Sequence, residues 1–165
     1  INGGYFDGNR QPIGLLRVNA ETISRPLQRP PFTGCVSIDA NGQLSVTAAT
    51  DPAAAEANSA IQAGPFLIDP GGIIGIHSDT SPPAERTVCA TANSKACLIC
   101  TTPVGLLSLS RCLSDYPEAF GVGKVDRALN LDGGPSTGLV IEAPARRLIR
   151  EPRGKIRDAL IIRSK

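Results

Sequence analysis

The sequence predicts a single compact domain of α+β class, built from mixed, largely antiparallel β-sheets with two or three short helices. Three observations predict it. Short stretches alternating apolar and polar side chains recur between clusters of turn residues, the period-two signature of half-buried strands. Helical periodicity is scarce, and strands and helices do not alternate regularly as in parallel α/β folds. The 17 glycines and 14 prolines among 165 residues divide the chain into many brief elements, while a hydrophobic fraction of 41% suffices for one sizeable core.

From the N-terminus, residues 13–18 read as a strand. Residues 34–39 and 43–47 then alternate around Ala40-Asn41-Gly42, where Asn41-Gly42 supplies the positive φ of a hairpin turn. Residues 52–61 are Ala-rich with Pro52 at the start and predict a short helix feeding a strand over 63–68. A second hairpin is expected over 86–92 and 96–101, turning at Asn93-Ser94-Lys95. Ser108 is placed to cap a second helix with Leu109, Cys112, Leu113 and Tyr116 on one face, broken by Pro117. A strand over 128–131 delivers Asp132. The loops 25–31 and 69–83 are expected to rim a site or cover a sheet edge.

Several function classes are excluded or disfavoured. The net charge of +2, from 17 basic and 15 acidic residues, is too small to imply nucleic acid as a partner, and six aromatics (Tyr5, Phe6, Phe32, Phe66, Tyr116, Phe120) make no base-stacking platform. No stretch reaches the roughly 18 consecutive apolar residues of a membrane span. Five cysteines (Cys35, Cys89, Cys97, Cys100, Cys112) leave at least one unpaired if the others bridge within the chain. Cys97 and Cys100 stand three apart on a strand and so face opposite sides, which reads as structure and not as a metal or redox pair. A disulfide between one strand thiol and Cys112 stays open for an exported protein. No metal-ligand spacing is evident, and no cofactor is expected. The basic cluster Arg146, Arg147, Arg150, Arg153, Lys155 and Arg157 reads as a solvated hairpin surface, with recruitment of an anionic glycan as the alternative.

The most informative string is Asn130-Leu131-Asp132-Gly133-Gly134-Pro135-Ser136-Thr137. It ends an apolar strand in a carboxylate, followed by backbone able to approach a ligand closely and by N–H and hydroxyl groups able to bind an oxyanion. Taken by itself, the octet favours a tight turn in which Asp132 caps its own backbone and Gly133-Gly134 provide the bend.

Read with three other strings in order, Ile1-Asn2-Gly3-Gly4-Tyr5-Phe6-Asp7, Ile61-Gln62-Ala63-Gly64-Pro65-Phe66-Leu67 and Glu85-Arg86-Thr87, and with a closing strand over 157–162, the octet resembles the phosphodiester glycosidase family across nearly the whole chain. Pro135 departs from the pattern, standing where the family usually carries a third glycine and removing an N–H donor. The chain also opens at Ile1 inside the first block, so a trimmed or processed N-terminus is expected for this domain of residues 1–165.

The resemblance implies hydrolysis of a sugar-1-phosphodiester or phosphate-linked glycan, with an N-acetylglucosamine-like sugar released and phosphate left on the acceptor. A secreted, periplasmic or envelope setting follows from the same resemblance. A phosphate monoester with a second pKa of about 6 leaves without full protonation. The site must then supply a cation for phosphate, a carboxylate near the anomeric carbon and groups for the sugar hydroxyls. The expected catalytic residues are Asp132 as nucleophile or electrostatic stabiliser, Arg86 as phosphate fork, Glu85 as second carboxylate and His77, the sole histidine, as proton shuttle. Substrate-binding candidates are Asn2, Gly3, Gln62, Gly64, Asn130, Gly133, Gly134, Ser136 and Thr137. For Arg86 a surface ion pair, for Asn2 a turn role and for His77 an exposed loop position are the alternatives. A non-catalytic sugar-phosphate binding domain is the rival for the whole chain.

Overall fold

The computed structural model describes residues 1–79, 81–93 and 95–163. Within them the chain forms two five-stranded sheets and a separate hairpin, with every strand pair antiparallel. The first sheet contains β1 (Leu16–Val18), β2 (Glu21–Ser24), β3 (Gly34–Ile38), β4 (Leu44–Ala48) and β5 (Ser59–Ala63), in the order β2-β1-β5-β3-β4. The second contains β6 (Phe66–Asp69), β7 (Ile73–Ile74), β8 (Thr87–Ala92), β9 (Lys95–Cys100) and β10 (Arg127–Asn130), ordered β7-β6-β10-β8-β9. The hairpin pairs β11 (Leu139–Ala143) with β12 (Arg146–Arg150).

Alternation along the strands builds four layers. Val36, Val46 and Ala63 of the first sheet meet Phe66, Cys89 and Leu129 of the second in one buried cluster, so the two sheets pack face to face. On the outer side of the second sheet, Leu67, Ile68, Val88, Ala90 and Ala128 pack on Leu109 and Leu113 of α2 (Leu106–Asp115). Cys35 and Ala60 of the first sheet pack outward on Ala54 and Ala57, at the short α1 (Pro52–Glu56).

Both predicted hairpins form, the first with Gly42 at φ 82°. The second turns through Asn93 at φ 47°, and Ser94 lies outside the described residues. Other expectations are corrected. The helix expected over 52–61 ends at Glu56, and Ser59–Ala63 is instead the central strand β5, held by β1 on one side and β3 on the other. Tertiary pairing on both edges outweighs the local alanine content there. The strand expected over 63–68 breaks at Gly64-Pro65, where the chain crosses from one sheet to the other.

Ser108 does not cap α2. The helix starts after Gly105, and Asp79 Oδ1, brought from a remote loop, accepts the Leu107 N–H at 2.9 Å. Of the face expected for that helix, Leu109 and Leu113 are buried, whereas Cys112 and Tyr116 are exposed. The closing strand over 157–162 is reduced to a single bridge between Asn2 and Ala159. The strand expected over 13–18 is shortened to Leu16–Val18. All five cysteines are free thiols; Cys97 Sγ points to Phe120 O and Cys100 Sγ to Gly138 O, on different faces of β9. Burial pushes the Cys35 and Cys89 thiols up to about 12, as expected of inert core thiols.

Candidate active site

The C-terminal end of β10 meets the N-terminal ends of its two neighbours, because β10 runs antiparallel to both. Gly64 N donates to Asn130 O at 2.9 Å, and Leu131 N to Thr87 O at 2.8 Å. Asp132 N then donates to Gly3 O at 3.0 Å. Four sequence strings far apart in the chain thereby share one floor, with Asp132 leaving the central strand of the second sheet.

The hydroxyl of Tyr5 marks the middle of this floor. It shares its proton between Gly64 O (2.9 Å) and Leu131 O (3.0 Å) and accepts from Asn130 Nδ2 (2.6 Å). Burial raises its pKa far above the usual phenol value; Asp132 adds to that rise, while Arg86 opposes it. Asn130 is 3% exposed, and its Oδ1 has no partner among the described residues.

Asp132 is partly buried. Desolvation raises its carboxyl above the usual range, and the Ser136 hydroxyl nearby and a hydrogen bond from its own neighbour Gly133 N–H (2.9 Å) offset part of the rise. Arg86 is braced by backbone, Nε donating to Val104 O (3.2 Å) and Nη2 to Pro82 O (3.4 Å), and among the described residues it forms no ion pair. A guanidinium fixed by carbonyls and left without a carboxylate is suited to an anionic ligand.

Other candidates face inward. Asn2 is 2% exposed; its Nδ2 donates to Asp132 O (2.6 Å), and its Oδ1 accepts from Thr87 Oγ1 (2.8 Å) and Gly138 N (3.0 Å). Gln62 is equally spent, its Oε1 accepting from Leu15 N and Leu27 N and its Nε2 donating to Leu27 O and Phe32 O. These amides fasten the walls of the site. Gly64 has φ 155°, and a side chain there would collide with Pro31 O, so glycine is required by packing. Thr137 is 1% exposed, with its hydroxyl against that of Thr87.

The N–H groups that follow Asp132 are engaged within the fold. Gly133 N is bound to Asp132 Oδ1, Gly134 N to Glu85 O (2.7 Å), Ser136 N to Gly133 O (3.2 Å) and Thr137 N to Gly134 O (3.1 Å), while Pro135 has no N–H. The Ser136 hydroxyl is turned to Lys155 O at 3.1 Å. The turn reading of the octet is thus what its backbone does.

Glu85 sits in a two-arginine clamp, Arg150 Nη2 at 2.8 Å and Arg153 Nη2 at 2.7 Å. Hydrogen bonds from Arg150 first and Arg153 second hold its carboxyl below the usual range, which favours a permanently ionised structural group over a proton carrier. His77 is exposed and makes no hydrogen bond among the described residues.

Asp158, which the sequence did not single out, lies against Gly3 and Gly4. Its Oδ1 accepts from Gly4 N at 2.6 Å, and its carbonyl accepts from Gly3 N at 3.1 Å. A Cβ on Gly3 would strike that Oδ1, so only glycine lets the carboxylate lie here. Burial raises its pKa, Gly4 N–H and Arg157 oppose the rise, and Asp132 adds to it. No local pattern distinguishes Asp158 from a solvated aspartate, since its setting comes from residues 154 positions away. Among the described residues no three His, Cys, Asp or Glu side chains are grouped to hold a metal ion, and no helix is long and apolar enough to cross a membrane.

A family model described as phosphodiester glycosidase matches residues 1–163. Among solved structures, the chain is similar to the catalytic domain of zebrafish N-acetylglucosamine-1-phosphodiester alpha-N-acetylglucosaminidase, auto-inhibited by its pro-peptide. The two share 19% identity and a TM-score of 0.55, over 82% of this chain and 50% of that one. It is also similar to a hypothetical protein from Synechocystis, at 17% identity and a TM-score of 0.53, over 92% of this chain and 48% of that one. At these identities the likeness shows the fold, and the chain spans about half the length of either structure. No curated protein matches the chain.

Proposed function

The chain belongs to the phosphodiester glycosidase family, and we propose that it is a hydrolase cleaving the sugar–phosphate bond of a sugar-1-phosphodiester, with an N-acetylglucosamine-like sugar released and phosphate left on the acceptor. The observation that carries this reading is that the Leu131 N to Thr87 O hydrogen bond joins the chain segments bearing Asp132, a partly buried carboxylate, and Arg86, a guanidinium braced by backbone and without an ion pair among the described residues. Glycosyl transfer from phosphate needs that combination. Arg86 neutralises the phosphate as the C–O bond breaks, so the leaving group departs as a monoester without prior protonation. Asp132 opposes the positive charge that develops at the anomeric carbon.

In this reading Asn2 and Gln62 act by positioning the floor, and the family setting favours a substrate met in a secretory, periplasmic or envelope space. The test is release of free sugar from an N-acetylglucosamine-1-phosphodiester by wild type and by Asp132→Asn, each first checked for folding. Release by wild type and its loss in the variant is the expected result. A folded wild type that binds the diester but releases nothing identifies the binding-domain rival instead, which the engaged N–H groups around Pro135 favour.

A further inference from the structure

We propose that Asp158, and not Glu85, is the second carboxylate of the reaction, the general base that takes the proton from the attacking water; this rests on the glycosidase reading above. Both aspartates hang from one three-residue stretch. Asn2 Nδ2 holds the Asp132 carbonyl at 2.6 Å, Gly3 O receives the Asp132 N–H at 3.0 Å, and Gly4 N–H holds Asp158 Oδ1 at 2.6 Å. The conformation of Asn2-Gly3-Gly4 therefore fixes the Asp158 carboxylate relative to the backbone that carries Asp132.

Three features separate Asp158 from Glu85. Glu85 has both oxygens occupied by arginines, one on each, whereas the Asp158 carboxylate uses one oxygen on Gly4 N–H and has no other hydrogen bond among the described residues. Asp158 also lines a cavity of about 530 Å³, together with Leu16, Ile61, Arg157 and Leu160, which leaves room for water beside it. Last, the charged groups acting on Asp158 are Arg157, which favours its ionised form, and Asp132, which disfavours it; burial disfavours it further. Its proton affinity is thereby raised, while that of Glu85 is lowered. A base works best when its pKa lies toward the working pH, so the direction of these shifts suits Asp158 to the role and unsuits Glu85.

The step balances as follows. Water oxygen bonds to the anomeric carbon as the bond from that carbon to the phosphate oxygen breaks, its electron pair leaving with the phosphate held by Arg86. The water's proton passes to the Asp158 carboxylate and from there to solvent. Asp132 stays ionised throughout.

The test is turnover of an N-acetylglucosamine-1-phosphodiester by wild type, Asp158→Asn, Asp158→Ala and Glu85→Gln, followed as release of the phosphate monoester across pH and with added azide, after thermal unfolding has shown that each variant folds. Asparagine retains an acceptor for Gly4 N–H, so D158N keeps the local geometry. The expected result is a loss on the order of 10²- to 10⁴-fold in kcat for both Asp158 variants, disappearance of the acid limb of the rate profile, and partial recovery with azide, a nucleophile with no proton to give up. E85Q is expected to keep the acid limb. Wild-type kcat and an unchanged acid limb in D158N would overturn the assignment and leave the proposed function standing. A loss of kcat with neither a change in the acid limb nor azide recovery would overturn it as well, since a merely structural role gives that pattern. A folded wild type that releases nothing would overturn the proposed function and this assignment together.

Discussion

Asn2 and Asp132, 130 positions apart in sequence, are joined by a 2.6 Å hydrogen bond from the Asn2 amide to the Asp132 carbonyl. The bond ties the N-terminal segment to the floor of the site, and the other end of the same amide collects Thr87 and Gly138. Asn2→Ala would leave these buried groups without partners. We expect a loss of about 1–3 kcal/mol, the cost of buried polar groups stripped of their partners, measured by denaturant unfolding. If Asn2 instead contacted substrate, the variant would keep its stability and show only a raised KM.

Gly3 admits the Asp158 carboxylate against the backbone, and a methyl group there meets Asp158 Oδ1 and Ile61 Cδ1. Gly3→Ala is expected to destabilise the fold by about 1–3 kcal/mol, the range for overpacking, and to displace Asp158. Unfolding together with turnover checks it; wild-type stability in Gly3→Ala would contradict the packing seen here.

The two aspartates make opposite contributions to stability from that of Glu85. Burial raises the pKa of Asp158 and of Asp132, so the folded state binds protons more tightly than the unfolded chain, and stability falls as pH rises from the ordinary aspartate range through the folded values. Asp158→Asn removes one such charge and should raise the unfolding midpoint at neutral pH, with the gain vanishing once the pH lies below the ordinary aspartate range. Melting curves of both proteins at several pH values decide this, and a D158N midpoint below that of wild type at neutral pH would show the carboxylate to be a net stabiliser.

For Glu85 the sign reverses. Its folded pKa lies below the unfolded value, so its contribution is present above the unfolded pKa and is lost as pH falls through the folded one. Arg150→Ala should shrink that acid-labile contribution while leaving any turnover within a few-fold of wild type, because the arginine serves the clamp. A collapse of kcat in a folded Arg150→Ala would place the clamp in the chemistry.

Arg86→Lys tests the phosphate fork. Lysine keeps the charge but cannot span Val104 O, Pro82 O and a phosphate at once. We expect a loss of at least about tenfold in kcat/KM in steady-state assays, as for one charge-assisted hydrogen bond. Equal kinetics for the two residues would mean that charge alone is used.

By itself the sequence determined the two hairpins, the break before Pro117, the strand that ends in Asp132 and the order of the strings that meet at the site. Each of these is written in a few neighbouring residues: alternation, a turn glycine, a proline. Only the tertiary structure decided which polar side chains fasten distant parts of the protein together. Asn2 and Gln62 look like sugar ligands in the sequence, yet every polar atom of their side chains is spent on remote backbone or hydroxyl groups. Ser59–Ala63 became a strand because two neighbours pair with it. Glu85 was fixed by arginines more than 60 positions away, and Asp158 by a glycine amide at the other end of the chain. Burial and charge are properties of a place in the fold, and a local pattern carries no record of which distant groups will share it.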